Sequence, residues 1–122
     1  MKIININSEP KRVVVDVPLF TGGTVSTQFL VTRSMGQDYN ALVVNFGKGA
    51  RNKFHSHTCD QLLFVTAGKG ILATEENQQP VGVGDFIFIP AGEKHWHGAT
   101  KDSEFSHIAI ATKTDEMTQL ED

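Results

Sequence analysis

The sequence contains one cysteine, no long apolar run and no basic cluster, and each of these absences excludes a class of protein. Cys59 is the single cysteine among 122 residues, so no intrachain disulfide can form, which favours a cytoplasmic setting. No apolar run approaches the ~18 residues that a transmembrane helix needs, and the start MKIININSEP lacks the apolar stretch of a secretory signal. With 11 Lys and Arg against 14 Asp and Glu, the formal charge is −3. Neither nucleic acid nor an anionic membrane surface is therefore an expected partner.

Helical periodicity is also nearly absent, and short segments rich in Val, Ile, Phe and Thr recur between Gly, Pro, Asn and Asp turns. The hydrophobic content of 39% suffices for one core, so we expect a single domain over residues 1–122. The acidic tail, residues 114–122, is expected to fray or to form one helical turn. The pattern predicts an all-β antiparallel sandwich or small barrel. The predicted strands are residues 12–17, 25–33, 41–46, 61–67, 70–75, 85–89, 94–99 and 105–113.

The phase of alternation along these strands indicates what each face contains. Gln61 shares a face with Leu63 and Val65, and a polar residue on an apolar face often marks a functional position. The face of His107 is otherwise Phe and Ala, and the small alanines leave room for a cavity beside an inward imidazole. The strand Phe-Ile-Phe-Ile at residues 86–89 is apolar on both faces, which is typical of a strand enclosed on both sides.

All five histidines lie between residues 55 and 107 and include two His-x-His pairs. Residues two apart on a strand point to the same face, so each pair presents two imidazoles together, as a chelated metal requires. Two such pairs beside glycine turns predict a metal site. The five are His55, His57, His95, His97 and His107.

Residues 49–68, GARNKFHSHTCDQLLFVTAG, resemble the first cupin motif, with Gln61 where that family usually has Glu. Residues 84–99, GDFIFIPAGEKHWHGA, resemble the second motif, with Ala99 in place of its Asn. The resemblance implies a double-stranded β-helix (jelly-roll) barrel with a metal in its mouth. The matching positions are Gly49, His55, His57, Gly68, Gly84, Pro90, Gly92 and His95.

A narrower resemblance covers most of the chain. The strings FTGGTV, GARNKFHSH, DQLLFVTAGKG and GEKHWHGAT are similar to small bacterial cupins that include the manganese-dependent hydroxynitrile lyases. This resemblance implies an acid–base or supporting role for His107. The chain departs from that group at Thr58, Asp60 and Ala111, and the last change weakens transfer of the reaction itself. The ligands implied by the resemblance are His55, His57, Gln61 and His95.

Gln61 changes the charge of the predicted site. A glutamine oxygen is a neutral ligand, so three imidazoles and one amide leave a divalent ion at +2, a strong Lewis acid. The alternative is that Gln61 hydrogen-bonds a water on the metal. Such a set accepts one divalent ion among Mn, Fe, Ni, Co, Cu and Zn, with Mn or Fe favoured.

His97 shares the inward phase of His95, and we expect it near the rim of the barrel. It is a second candidate acid–base residue after His107, or else a hydrogen-bonded polar core residue. Cys59, in the turn between the predicted ligands, is expected to be an inert thiol.

Three functions remain open at this point. The first is a metal-dependent lyase that breaks a carbon–carbon bond in a small organic substrate, with His107 or His97 moving the proton. The others are a metal-dependent dioxygenase and a non-catalytic module that binds a metal or small molecule.

We also expect a homodimer formed through residues 1–35, because residues 12–17, RVVVDV, would be a valine-rich edge strand.

Overall fold

The computed structural model describes all residues, 1–122, and consists of twelve strands joined by turns. The predicted all-β class is therefore confirmed. The strands are β1 (Arg12–Val13), β2 (Phe20–Thr21), β3 (Val25–Val31), β4 (Tyr39–Phe46), β5 (Arg51–Asn52), β6 (His55–His57), β7 (Gln61–Thr74), β8 (Gln78–Gly82), β9 (Phe86–Ile89), β10 (His95–Ala99), β11 (Phe105–Thr112) and β12 (Met117–Gln119). None of its segments is a helix of the length and apolarity needed to cross a membrane.

The strands pair antiparallel in two sheets that share β7. The first half of β7 lies between β11 and β9, and β4, β3 and β1 continue that larger sheet beyond β11. The second half of β7 pairs with β10 and β8 in the smaller sheet. Because one strand runs through both sheets, the two faces curl towards each other and enclose a jelly-roll interior.

The continuity of β7 corrects the prediction of two strands separated by a turn at residues 68–70. Gly68 has φ of 73°, and a Cβ there would overlap the carbonyl oxygen of Glu104. A Cβ on Gly70 would lie 2.6 Å from the ring of Phe105. These glycines bend the strand from one sheet into the other without reversing its direction. The positive φ of Gly68 and the missing side chains therefore serve a bend within a strand and not a turn between two strands.

The interior follows the predicted phase. Gln61, Leu63 and Val65 are all buried on one face of β7, with Gln61 7% exposed and the other two fully enclosed. His107 is likewise buried on the inner face of β11, beside Phe105. The barrel therefore contains an apolar core and, next to it, a group of buried histidines.

The outer face of β9 contradicts the prediction that this strand is enclosed on both sides. Ile87 and Ile89 are buried, whereas Phe86 is 61% and Phe88 60% exposed. Only the inner face of the larger sheet packs against the core of the barrel at this strand. The phenylalanines on the other face are left in contact with solvent.

The C-terminal tail also differs from expectation, since it neither frays nor forms a helical turn. Strand β12 pairs with β6, the strand that carries the first histidine pair. Beyond it, the carboxylate of Glu121 accepts hydrogen bonds from Arg51 Nη2 at 2.7 Å and from the backbone N–H of Phe54 at 2.9 Å. The tail is thus fixed against the strands of the histidine site.

The predicted amino-terminal strand is shorter than expected. Only Arg12 and Val13 pair with β3, and Asp16 has φ of 56°, a left-handed conformation that an extended strand does not contain. Val13 and Val15 are 64% and 69% exposed. The expectation that residues 1–35 form a dimer stays a prediction.

Candidate metal centre

Three histidine rings meet where β6 lies beside β10. His55 and His95 are direct cross-strand partners, and their ring centroids are 4.4 Å apart. His57, two residues along the same face, lies 5.1 Å from His55 and 5.9 Å from His95 by the same measure. The alternation of the strands therefore brings the two His-x-His segments to one point, as the sequence predicts.

The backbone fixes the tautomer of His55 and of His95 in the same way. Nδ1 of His55 donates to the carbonyl oxygen of Lys53 at 2.7 Å, and Nδ1 of His95 donates to that of Glu93 at 2.8 Å. A carbonyl oxygen can only accept, so Nδ1 carries the proton in each ring. The lone pair is then on Nε2, which is the arrangement a metal-ligating histidine needs.

His57 has the same tautomer, but its partner is the carboxylate of Asp115. Nδ1 of His57 donates to Oδ2 of Asp115 at 2.6 Å. The other carboxylate oxygen accepts from the backbone N–H groups of Thr58 and Cys59 at 3.1 and 3.3 Å. Burial alone would raise the pKa of the Asp115 carboxyl, but the hydrogen bonds from His57 and Cys59 hold it below its usual value. Asp115 is therefore ionised and orients the His57 ring.

Three buried polar atoms at this site have no hydrogen-bond partner. They are Nε2 of His57, Nε2 of His95 and Oε1 of Gln61. Buried polar atoms are normally paired, because leaving one unpaired costs about 1–3 kcal/mol. All three atoms carry lone pairs of the kind that divalent transition ions accept. The residues present thus fit a bound metal ion.

A second polar group, formed by Asn52, His97 and His107, lies next to these rings. Oδ1 of Asn52 accepts from the backbone N–H of His97 at 2.8 Å, so its Nδ2 faces the His97 ring, 3.2 Å from Nε2. His97 Nε2 then accepts and its Nδ1 carries the proton, which it donates to His107 Nε2 at 3.0 Å. The remaining proton of His107 is on Nδ1, a buried atom without a partner.

The environment keeps four of the imidazoles, those of His55, His95, His97 and His107, in the neutral form. Burial, with a further contribution from neighbouring His95, lowers the pKa of His55 from 6.5 to about 3. Burial also lowers the pKa of His107 to about 4 and the pKa values of His95 and His97 below 6.5. Neutral imidazole is the form that binds a metal or accepts a proton, so the rings are ready for both tasks at neutral pH.

The placement of His97 and His107 differs in part from the sequence-based expectation. His97 is fully buried and not at the rim, because Asn52 and His107 supply the hydrogen bonds that burial requires. Its ring centroid is 5.7 Å from both His55 and His95, and one nitrogen from each of these three residues lies within 4.8 Å of the others. His107 contacts His97 on the side away from this group and packs against both Phe46 and Phe105.

Two functional positions, Asp115 and Asn52, are missing from the sequence analysis. Asp115 lies 58 residues from the His57 that it holds, and Asn52 lies 45 residues from His97. Neither belongs to a local pattern with its partner. The signal for Asp115 would have been an acidic residue three positions after the end of a strand, but the acidic composition of the tail conceals it.

We expect Asp115→Asn to weaken metal binding by about 10–100-fold while the barrel stays folded, because an amide no longer holds the protonated Nδ1 of His57 as strongly. Titration of the metal-free protein with Mn²⁺, followed by calorimetry, measures the change. Asp122→Asn removes the same charge from the same tail at an exposed position and serves as the control. Unchanged affinity in Asp115→Asn would contradict an orienting role.

The curled antiparallel sheet and its histidine cluster are those of a cupin. The cupin-domain family model matches residues 42–111, more than half of the chain, and the chain belongs to this family. Together the family and the cluster of His55, His95 and His97 indicate a divalent metal.

Two curated relatives share part of this region. The (R)-mandelonitrile lyase of Granulicella tundricola is 40% identical over 73 residues, which are 59% of this chain and 56% of the relative. The acireductone dioxygenase of Exiguobacterium sibiricum is 28% identical over 79 residues, 61% of this chain and 41% of the relative. The matches thus span about half the length of each relative.

Solved structures agree on the fold over nearly the whole chain. A cupin-like protein from Thermotoga maritima superposes with a TM-score of 0.82 and 33% identity, covering 99% of this chain and 90% of that one. The polyketide cyclase RemF from Streptomyces resistomycificus gives a TM-score of 0.85 with 18% identity, covering 98% and 85%. At the lower identity the likeness concerns the barrel alone.

Proposed function

We propose that this cupin is a metal-dependent lyase that breaks the bond between the hydroxyl-bearing carbon and the nitrile carbon of a small hydroxynitrile. The observation that carries the proposal is the set of buried, unpartnered donor atoms on His57, His95 and Gln61. It is supported by the 40% identity, over 73 residues, to a protein named (R)-mandelonitrile lyase.

The proposed ligand set is His55, His57 and His95 through Nε2 and Gln61 through Oε1. His97 lies equally close to His55 and His95, but both of its ring nitrogens have protein neighbours, so it is left out of the set. All four proposed donors are neutral. A divalent ion held there, Mn²⁺ or Fe²⁺, would supply a Lewis-acidic positive charge beside the substrate oxygen.

The hydrogen-bonded pair of His97 and His107 is the proposed proton acceptor. As the hydroxyl proton moves to this pair, the O–H electrons form the carbonyl bond, and the electrons of the C–C bond leave with the cyanide. The same proton then returns to cyanide, so the products are an aldehyde and hydrogen cyanide and the pair is again neutral. Since burial lowers the pKa of His107 to about 4, its protonated form gives the proton up readily.

The test is cleavage of mandelonitrile by the protein loaded with Mn²⁺ or Fe²⁺, followed by benzaldehyde absorbance and by released cyanide. We expect turnover that is faster for one enantiomer and is lost in the metal-free protein. Cys59→Ala, in the turn between the proposed ligands, serves as a control that keeps the activity. Equal release of both products with and without the metal would contradict the proposal.

A second candidate, oxygen-dependent cleavage, is favoured by the match to a protein named acireductone dioxygenase. Three imidazoles with open coordination positions also suit iron that activates dioxygen. Oxygen uptake by the Fe²⁺-loaded protein with a substrate, and none without it, would favour this function over the lyase. Tight metal binding with neither activity would indicate a non-catalytic binding module.

A further inference from the structure

The outer face of the larger sheet exposes a continuous apolar surface, here called the aromatic face and defined by Phe64, Phe86 and Phe88. Phe64 is the cross-strand partner of Phe86, and Phe88 is the partner of Leu62, so the side chains form one patch over β7 and β9. Phe86 and Phe88 are 61% and 60% exposed, and Phe64 is 39% exposed. Monomeric proteins rarely leave three neighbouring phenylalanines in water, and such patches mark interaction sites.

The aromatic face continues into a groove of about 510 Å³. Ile110 on β11 is the cross-strand partner of Leu62. Two residues further along β11, on the same face, Thr112 is the cross-strand partner of Tyr39 on β4. The groove therefore lies at the opposite end of the same face from the turn at Val83, which is 69% exposed. Its walls are formed mainly by Tyr39, Cys59, Leu62, Phe88, Ile110 and Ala111.

No charged residue occurs in the strands that form this part of the sheet. The segments at residues 39–46, 61–67, 86–89 and 105–112 contain no Lys, Arg, Asp or Glu. Sheets that face solvent usually carry such charges, which prevent association. In a two-fold pair each strand would lie near its own copy, where any charge would face a like charge, so these uncharged strands suit a second copy of the same surface. The one charged residue in the lining of the groove is Asp60, which follows the turn before β7 and accepts a hydrogen bond from the backbone N–H of Ala91 at 2.9 Å.

The amino-terminal residues cover the other half of the same sheet. The side-chain amide of Gln28, on the outer face of β3, donates to the carbonyl oxygens of Ile6 and Glu9 at 2.6 and 2.8 Å. Gln28 is 3% exposed as a result. The chain thus protects the β3 side of the sheet with its own residues and leaves the β7 and β9 side without a cover.

We propose that the aromatic face is the interface of a homodimer, in which the exposed end of one copy, at Val83 and Phe86, enters the groove beside Phe88 of the other. The exposed end at Val83 and Phe86 and the groove lie at opposite ends of one face. A two-fold axis between them therefore places each copy's exposed end in the other copy's groove, and the assembly is closed. The interface expected from the sequence, through residues 1–35, is the alternative, and the two pairs of substitutions below distinguish it from the aromatic face.

The area of the aromatic face together with the adjoining groove is consistent with a stable pair. At roughly 200 Å² for each aromatic side chain, the exposed fractions of Tyr39, Phe64, Phe86 and Phe88 amount to about 400 Å². That is half of the ~800 Å² that each partner buries in a specific interface. Val83, Leu62, Ile110 and the groove walls contribute to the remainder.

Sedimentation equilibrium of the full chain tests this interface. We expect the wild type to have twice the mass of one chain at micromolar concentration, and Phe86→Lys/Phe88→Lys to raise the dimer dissociation constant at least about 100-fold. Val13→Lys/Val15→Lys is the matched control, because it adds the same charge at equally exposed apolar positions, and it should stay dimeric. Circular dichroism confirms that both variants are folded.

A monomeric wild type overturns the proposal, and so does a Phe86→Lys/Phe88→Lys variant that dimerises like the wild type. If only the valine variant dissociates, or if both variants do, the aromatic face is not the specific interface. The thiol of Cys59 gives an independent measurement, because it lines the groove. Its reaction with a thiol reagent should slow as the wild-type concentration rises through the dimer transition; a rate independent of concentration would also refute the proposal.

Discussion

Replacing His95 by alanine is expected to give a folded barrel that no longer retains a metal ion. Nε2 of His95 is buried without a partner, and its ring centroid lies 4.4 Å from that of His55 and 5.9 Å from that of His57. Loss of this donor should reduce metal affinity by more than about 100-fold, the upper end of what loss of an outer hydrogen-bond partner costs. Metal analysis of the purified variant and calorimetric titration of the metal-free protein measure the loss.

A matched control separates loss of a donor from loss of packing. Leu63 is also fully buried inside the barrel but carries no donor atom. We expect Leu63→Ala to lower the free energy of unfolding by about 2–5 kcal/mol without changing the metal affinity of the folded protein. Stoichiometric metal in His95→Ala would contradict the proposed ligand set, because three remaining donors do not hold the ion as four do.

The histidine site is largely predictable from the sequence because its geometry is local. Residues two apart on a strand point to the same face of the sheet. Periodicity alone therefore predicts that His55 and His57 share one face and that His95 and His97 share one face. Gln61 is found by its phase, as a polar residue on an apolar face. The burial of His97 is not found, because it depends on Asn52, which reaches it from another strand.

Asp115 shows the same limit more clearly. It lies after the last long strand, and the pairing of β12 with β6 brings it to His57. No spacing rule connects two residues that far apart in the chain. The strand pairing that joins them is a property of the whole barrel, and the acidic tail around Asp115 predicts only a solvated segment.

Two sequence features each fit two structures: the glycine at position 68, and the run of apolar residues at positions 86–89. Gly68 has the positive φ of a turn residue, yet it bends a continuous strand, because only the close approach of Glu104 distinguishes the two uses. Phe86 and Phe88 follow the pattern of a strand covered on both faces. That pattern does not specify which chain provides the cover, and within one chain only Ile87 and Ile89 are buried.

Replacing His107 by alanine is expected to leave metal binding intact and to reduce turnover of a hydroxynitrile by about 10²–10⁴-fold, the usual contribution of acid–base catalysis. His107 contacts His97 and two phenylalanines, and it is not among the proposed ligands. Its loss therefore removes half of the proton-accepting pair without removing a metal donor. Metal stoichiometry and kcat, measured on the same preparation, test both parts.

The variant His107→Gln distinguishes a proton acceptor from a residue that only positions His97. A glutamine amide oxygen can accept the hydrogen bond that Nδ1 of His97 donates at 3.0 Å, but it cannot take up a proton at neutral pH. If His107 accepts the substrate proton, His107→Gln should be about as slow as His107→Ala, although it packs better and unfolds at a higher temperature. If glutamine restores most of kcat, the role of His107 is to orient His97, and His97 is the base. Both variants together therefore decide which imidazole of the pair takes the proton, because they differ in the hydrogen bond to His97 and share the loss of a titratable group.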